Sequence, residues 1–169
     1  MARSEQLTRA DVKRIEEEIE HRKLVVRPAA LEALKAARAL GDLSENFEYY
    51  AAKRDNNMNN SRIRYLEKLL RFATIIDDSS EEDCVGINNT VEVFFPAWEE
   101  SESYRIVTSI RCDSRRGLIS NESPMGKALM GRKCGETVTV IPENGEPYEI
   151  VIKSIFNTGE SEDDRIHSY

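Results

Sequence analysis

The chain of 169 residues carries 24 Lys/Arg against 31 Asp/Glu, a net charge of −7, and a third of its residues are charged; this is room for one large or two small well-hydrated domains. No apolar run approaches the roughly 20 residues of a membrane span, and the N-terminus lacks the apolar stretch of a signal peptide, so a cytoplasmic protein without membrane contact is expected. Cys84, Cys112 and Cys134 are odd in number and widely spaced with only His21 and His167 to help them, which argues against a disulfide framework or a zinc site and for reduced packing residues.

The charge divides the chain. Residues 1–77 hold 15 Lys/Arg and 13 Asp/Glu, whereas residues 78–169 hold 9 and 18. The mildly basic first part permits contact with phosphate or an acidic protein surface, without the basic stripe of an autonomous DNA binder. A solvated helical rod of mixed charge has the same composition.

Residues 8–40 are rich in Ala, Leu, Glu, Lys and Arg, all strong helix formers. Thr8 with Asp11 three residues on is a weak start signal. Val12, Ile15, Ile19, Val26, Ala29, Ala33, Ala37 and Leu40 follow the spacing of a coiled-coil seam, which Arg22 interrupts. Pro28 removes one backbone donor, and a kink is expected near it.

The next stretch, Gly41-Asp42-Leu43-Ser44-Glu45-Asn46, reads as a tight turn carrying two carboxylates. Residues 46–76 then return to helix, with Tyr49, Ala52, Ile63, Leu66, Leu70 and Ala73 on one stripe and Met58, Tyr65, Leu69 and Phe72 widening it. The two stripes are expected to pack on each other as an antiparallel hairpin. The asparagines at 56, 57, 59 and 60 are poor helix material, because Asn competes locally for backbone hydrogen bonds.

A helix of about 30 residues rises roughly 45 Å, so the acids would stand far from the base of such a rod. An oligomerisation coiled coil or a spacer would not need them there. A divalent metal ion is the commonest partner of paired carboxylates in that position. The Asp-x-x-Glu spacing of Asp42 and Glu45 is equally that of residues capping the second helix.

From Asp77 to Asp83 the composition is that of a linker. Four strands follow, at 90–95, 103–108, 137–141 and 148–152, separated by Gly, Pro, Asn and Glu turns. Ser123-Pro124 ahead of Met125–Met130 and Gly131 predicts one short helix, with Ser as N-cap, Pro in the first turn and Gly as the stop. The tail from Gly159 to Tyr169 has little to bury and reads as disordered.

Ala37-Arg38-Ala39-Leu40-Gly41-Asp42-Leu43-Ser44-Glu45-Asn46-Phe47-Glu48-Tyr49, followed by Ala51-Ala52-Lys53 and Arg62-Ile63-Arg64-Tyr65-Leu66-Glu67, resembles the coiled-coil signature of the GreA/GreB bacterial transcript-cleavage factors. Residues 118–124, Ala128-Leu129-Met130-Gly131 and the segment from Gly145 to Ile152 resemble that family's C-terminal domain. The resemblance spans residues 7–156. It implies an α+β protein: an antiparallel helical coiled-coil hairpin with an acidic tip over residues 1–77, an FKBP-like antiparallel sheet domain with one short helix over 78–158, and an acidic tail.

The implied function is that of a monomeric transcription elongation factor that is not itself an enzyme. Its hairpin would enter the secondary channel of bacterial RNA polymerase while the second domain binds the channel rim. There Asp42 and Glu45 would help bind a second Mg²⁺, shared with the polymerase active centre, for cleavage of the 3′ end of backtracked RNA. Gly41, Leu43, Ser44, Asn46 and Tyr49 would position the tip, and Arg38, Lys53 and Arg54 are candidate contacts to the nascent RNA or to polymerase. Ser123, Pro124 and Gly131 read as helix punctuation, since fold analogy does not confer isomerase activity.

Two features depart from the family pattern: Phe47 stands where a small residue is common, and the asparagines at 56–60 stand where charged residues or Gln are usual. Two competing functions remain at this stage. One is a Gre-like secondary-channel regulator that inhibits or competes, and the other is a structural coiled coil with a small β domain.

Overall fold

The computed structural model describes residues 5–41, 46–78, 83–159 and 166. Two compact units emerge, one of Glu5 with residues 9–74 and one of Gln6–Thr8 with residues from Ile75 onward.

The first unit is a helical hairpin. Helix α1 spans Arg9–His21, passes through a π-helical turn at Arg22–Val26 and continues as α2 over Arg27–Ala39; α3 runs from Phe47 to Phe72. The disturbance expected near Pro28 is thus a widened turn just ahead of it, in which the Arg27 N–H reaches back to the Arg22 carbonyl. Pro28 disfavours a straight helix at this point. In a straight α-helix its ring would strike the Leu24 carbonyl, and it has no N–H to offer.

The wide turn also changes which residues face α3. Ile15, Ile19, Val26, Ala30, Leu34 and Ala37 turn inward, whereas Ala29, Ala33 and Leu40, expected in the seam, are exposed. A π-helical turn takes up one residue more than an α turn, so the periodicity before it cannot be extrapolated past it. Leu40 is excluded for a second reason, since α2 ends at Ala39 and the Leu40 N–H already turns back to the Ala37 carbonyl.

On α3 the buried face is Asn59, Ile63, Leu66 and Leu69, and Met58 and Phe72 are solvent-exposed rather than part of the stripe. The asparagines do not interrupt the helix. It ends four residues earlier than expected, because Thr74–Ile75 forms strand β2, paired with β1 at Gln6–Leu7. The Thr74 N–H meets the Glu5 carbonyl at 2.8 Å and the Ile76 N–H meets the Leu7 carbonyl at 2.9 Å.

The second unit is built on five strands, β3 (Asn89–Phe95), β4 (Glu100–Val107), β5 (Leu118–Ser120), β6 (Thr137–Val140) and β7 (Tyr148–Asn157), with helix α4 over Pro124–Leu129. Their order is β5-β4-β3-β7-β6. The sheet is mixed, not antiparallel as expected: β4 and β5 run parallel, with Arg105, Ile106 and Val107 opposite Leu118, Ile119 and Ser120. Parallel neighbours need a crossover. Residues 108–117 provide it through two 3₁₀ turns, ending at Gly117 with φ +69°.

Alternation in β3 places Val91, Val93 and Phe95 in a core with Ile106, Leu129, Val138, Val140, Ile150 and Ile152. Strand β7 carries a bulge, so that Glu92 faces Ser154 and Val93 faces Ile152. Ser123 caps α4 by accepting the Gly126 N–H at 3.0 Å. Gly126 is required by space: a Cβ there would lie 2.0 Å from the Ser120 carbonyl oxygen. Cys84 and Cys112 are half-buried, but Cys134 is exposed and is not a packing residue. Among the described residues no helix is long and apolar enough to cross a membrane.

Candidate functional site

The closed end of the hairpin is shaped by Gly41 and Asn46, which flank residues 42–45. Gly41 has φ +126°, a conformation that strains any residue with a side chain. Asn46, in extended backbone, is the N-cap of α3, its Oδ1 accepting the Tyr49 N–H at 2.9 Å. The same carboxamide donates through Nδ2 to the Ala37 carbonyl at 2.7 Å. One side chain therefore starts α3 and ties it to the last turn of α2, whose Ala37 is buried.

Asp42, Leu43, Ser44 and Glu45 lie outside the described residues. The residues that flank them, Gly41 on one side and Asn46 on the other, are the described anchors of the two helix ends.

Next to these anchors three of the expected residues converge. The Tyr49 ring lies 5.6 Å from the Arg38 guanidinium and 6.0 Å from the Lys53 ammonium, and edge-on to Tyr50 at 5.5 Å. A hydrogen bond from Arg38 to the phenol, aided by the Lys53 charge, holds the Tyr49 pKa below the ordinary value of 10.0. The cluster gathers two cations and a phenol, suited to anionic oxygens such as phosphate. Arg54 is not part of it. Its side chain is exposed and pairs with Asp55, Nε to Oδ1 3.9 Å. Leu40, Phe47 and Tyr50 are exposed around the same end, Phe47 to 86%.

Farther down the hairpin lies a cluster that the residue pattern did not announce. Glu18 accepts from Arg22 Nε at 2.7 Å and from Arg62 Nε and Nη2 at 3.0 and 3.2 Å. Arg22 also meets Asn59, and Arg27 meets Asn60. Burial pushes the Glu18 carboxyl up, but the hydrogen bonds and charges of Arg62 and Arg22 outweigh it and hold the group below its ordinary value. A signal for this cluster was present. The polar interruptions Arg22 and Asn59 stand 19 residues before and 18 after Gly41, so a hairpin turning there brings them together.

Among the described residues no three His, Cys, Asp or Glu side chains gather as a metal-ligand set.

The N-terminal family model of transcription elongation factors matches residues 5–75, and the GreA/GreB C-terminal model matches residues 80–157. The chain is 42% identical over 149 residues to transcription elongation factor GreA of Macrococcus caseolyticus, covering 88% of this chain and 94% of that protein. Identity and coverage are the same for GreA of Staphylococcus epidermidis. Among solved structures, GreA factor homolog 1 of Thermus thermophilus is 27% identical with a TM-score of 0.43, covering 91% of this chain and 99% of that one. The chain belongs to the GreA/GreB family of transcription elongation factors.

Proposed function

We propose that this protein enters the secondary channel of bacterial RNA polymerase with its hairpin and stimulates the polymerase's own cleavage of the 3′ end of backtracked RNA. Residues 1–77 form the probe, residues 78–158 an FKBP-like domain that binds the polymerase, and residues 159–169 an acidic tail. Catalysis belongs to the polymerase. Asp42 and Glu45 contribute carboxylates to it in trans.

The donor chemistry fits that role. The turn from Gly41 to Asn46 offers two carboxylates and no nitrogen or sulfur ligand, which suits Mg²⁺, a hard cation that keeps several waters and takes one or two carboxylates plus phosphate oxygens. Asp42 and Glu45 would help hold the metal, which would supply Lewis acidity for the polymerase's cleavage chemistry. The chain's own residues do the placing. Gly41 permits the turn, and Asn46 fixes the start of α3 against the end of α2.

Arg38 and Lys53, drawn to the Tyr49 ring, present positive charge to which RNA phosphates could bind. The observation that carries this reading is the 42% identity to GreA along nearly the whole of both chains, with Asp42 and Glu45 lying in the sequence between α2 and α3. The test is a cleavage assay on a stalled, backtracked complex with core polymerase. Stimulation by the wild-type chain that disappears in an Asp42→Asn/Glu45→Gln variant supports the assignment. Slower cleavage with the wild-type chain than without it would make the protein an inhibitory relative instead.

A further inference from the structure

Partway along the hairpin the apolar seam gives way to a polar one. Arg22 opens the π-helical turn, and Arg27 closes it with its N–H on the Arg22 carbonyl. Consecutive residues of α3 hold both ends of this wide turn. The Asn59 carboxamide takes Arg22 twice, its Oδ1 accepting from Nη1 at 3.2 Å and its Nδ2 donating to the Arg22 carbonyl at 3.3 Å. Asn60 Oδ1 accepts from Arg27 Nε at 3.0 Å.

Asn59 is the buried partner, only 4% exposed, whereas the Arg22 side chain is 28% exposed. The Arg22 carbonyl, whose partner has moved from the fourth to the fifth residue on, thereby has a donor for each of its two lone pairs. A part-buried polar pair of this kind adds little net stability compared with apolar residues of similar size. It is satisfied in one arrangement only, which is how a single buried Asn selects the register of a coiled coil.

We infer that Arg22 and Asn59 are positioning residues for the tip: their reciprocal pair holds the wide turn, and with it the axial place at which the hairpin presents residues 41–46. Loss of the wide turn would displace α2 relative to α1 by about one residue's rise, roughly 1.5 Å. Misplacement by about 1 Å costs on the order of a hundredfold in rate where reacting groups must be aligned. The inference rests on the proposed role of the tip in the polymerase active centre.

The test uses the full chain with Arg22→Leu/Asn59→Leu, the wild type and Asp42→Asn/Glu45→Gln side by side. Three quantities are read: the NMR coupling across the Arg27 N–H to Arg22 carbonyl hydrogen bond, the melting temperature, and cleavage of a backtracked complex as a function of factor concentration. The expected result is loss of the coupling with unchanged or higher melting temperature. The half-saturating concentration stays unchanged and the cleavage rate at saturation falls at least about tenfold.

A full rate with the coupling lost overturns the positioning role, and a coupling that survives overturns the clamp itself. Should the apolar variant melt lower, Asn59→Asp decides. It keeps the acceptor for Arg22 Nη1 and removes the donor to the carbonyl, so the saturated rate must fall with binding intact, and a full rate refutes the inference. Failure of the wild type to stimulate, or full activity of Asp42→Asn/Glu45→Gln, sinks the functional reading, while the coupling still reports on the clamp.

Discussion

The sheet unit and the hairpin hold their shapes by different means. In the sheet unit Val91, Val93, Ile106, Leu129, Ile150 and Ile152 are fully buried in one continuous apolar cluster. The hairpin buries Ile15, Ile63 and Leu66, but its midsection is Arg22, Asn59 and Glu18, and its closed end is tied by Asn46. Apolar burial is non-directional and stabilises in proportion to area, whereas a buried hydrogen-bonded pair adds less and works in one geometry. The sheet is therefore built for stability and the hairpin for position. That division suits the proposed role, in which Asp42 and Glu45 act at one point in the polymerase active centre.

The sharpest way to break the comparison is at the tip. Asp42→Asn with Glu45→Gln removes charge without altering size, so cleavage stimulation should fall to the unassisted rate of the polymerase. Stability should change by no more than about 1 kcal/mol, because Asn is itself a good helix cap. Melting curves and the backtracked-complex assay, run on the same preparation, separate the two effects.

In the sheet the order of effects should reverse. Ile152→Ala opens a cavity in a fully buried position and is expected to cost about 2–5 kcal/mol by denaturant titration. Gly126→Ala forces a Cβ against the Ser120 carbonyl, so the backbone must move, with an expected cost of about 1–3 kcal/mol. Below the melting transition both variants should still stimulate cleavage at the wild-type saturated rate.

Asn46 lies between these extremes. Asn46→Ala removes the cap and the tether together and should cost about 1 kcal/mol. Asn46→Asp keeps the acceptor for the Tyr49 N–H but cannot donate to the Ala37 carbonyl. It should retain helix stability while lowering the saturated cleavage rate. Equal rates for Asn46→Asp and wild type would show that the cap alone matters.

The smallest effect is a pH dependence of the hairpin. The folded Glu18 carboxyl is held below its ordinary value of 4.5 by Arg62 and Arg22, so the unfolded chain binds a proton more readily than the folded one. Its contribution is present in full above that value and is lost as the pH falls below it. Glu18→Gln should flatten this acid-side loss in thermal melts monitored by helical circular dichroism. An unchanged slope would place the acid sensitivity in other carboxylates.

Much of this architecture was legible from residues alone. Helix, turn, helix and then alternating strands follow from local periodicity, and Ser123-Pro124 with Gly131 delimited α4 through capping chemistry that acts within a few residues. The parallel pairing of β5 was not legible, because three residues carry too short a pattern and their partner lies across a crossover. Nor did sequence spacing reveal that Ala30 and Leu34, rather than Ala29 and Ala33, face α3. That outcome depends on the widened turn ahead of Pro28.

What the sequence by itself determined is the hairpin, the position of Asp42 and Glu45 in the segment between its helices, and the family to which the chain belongs. Those depend on local propensity and on a contiguous motif. What only the tertiary structure decided is how Arg22, an interruption on one helix, and Asn59, an apparent weakness on the other, answer each other across the hairpin. A polar residue in an apolar stripe counts as a defect when its helix is considered alone. Its hydrogen-bond partner comes from a segment distant along the chain, and only folding brings the two within reach.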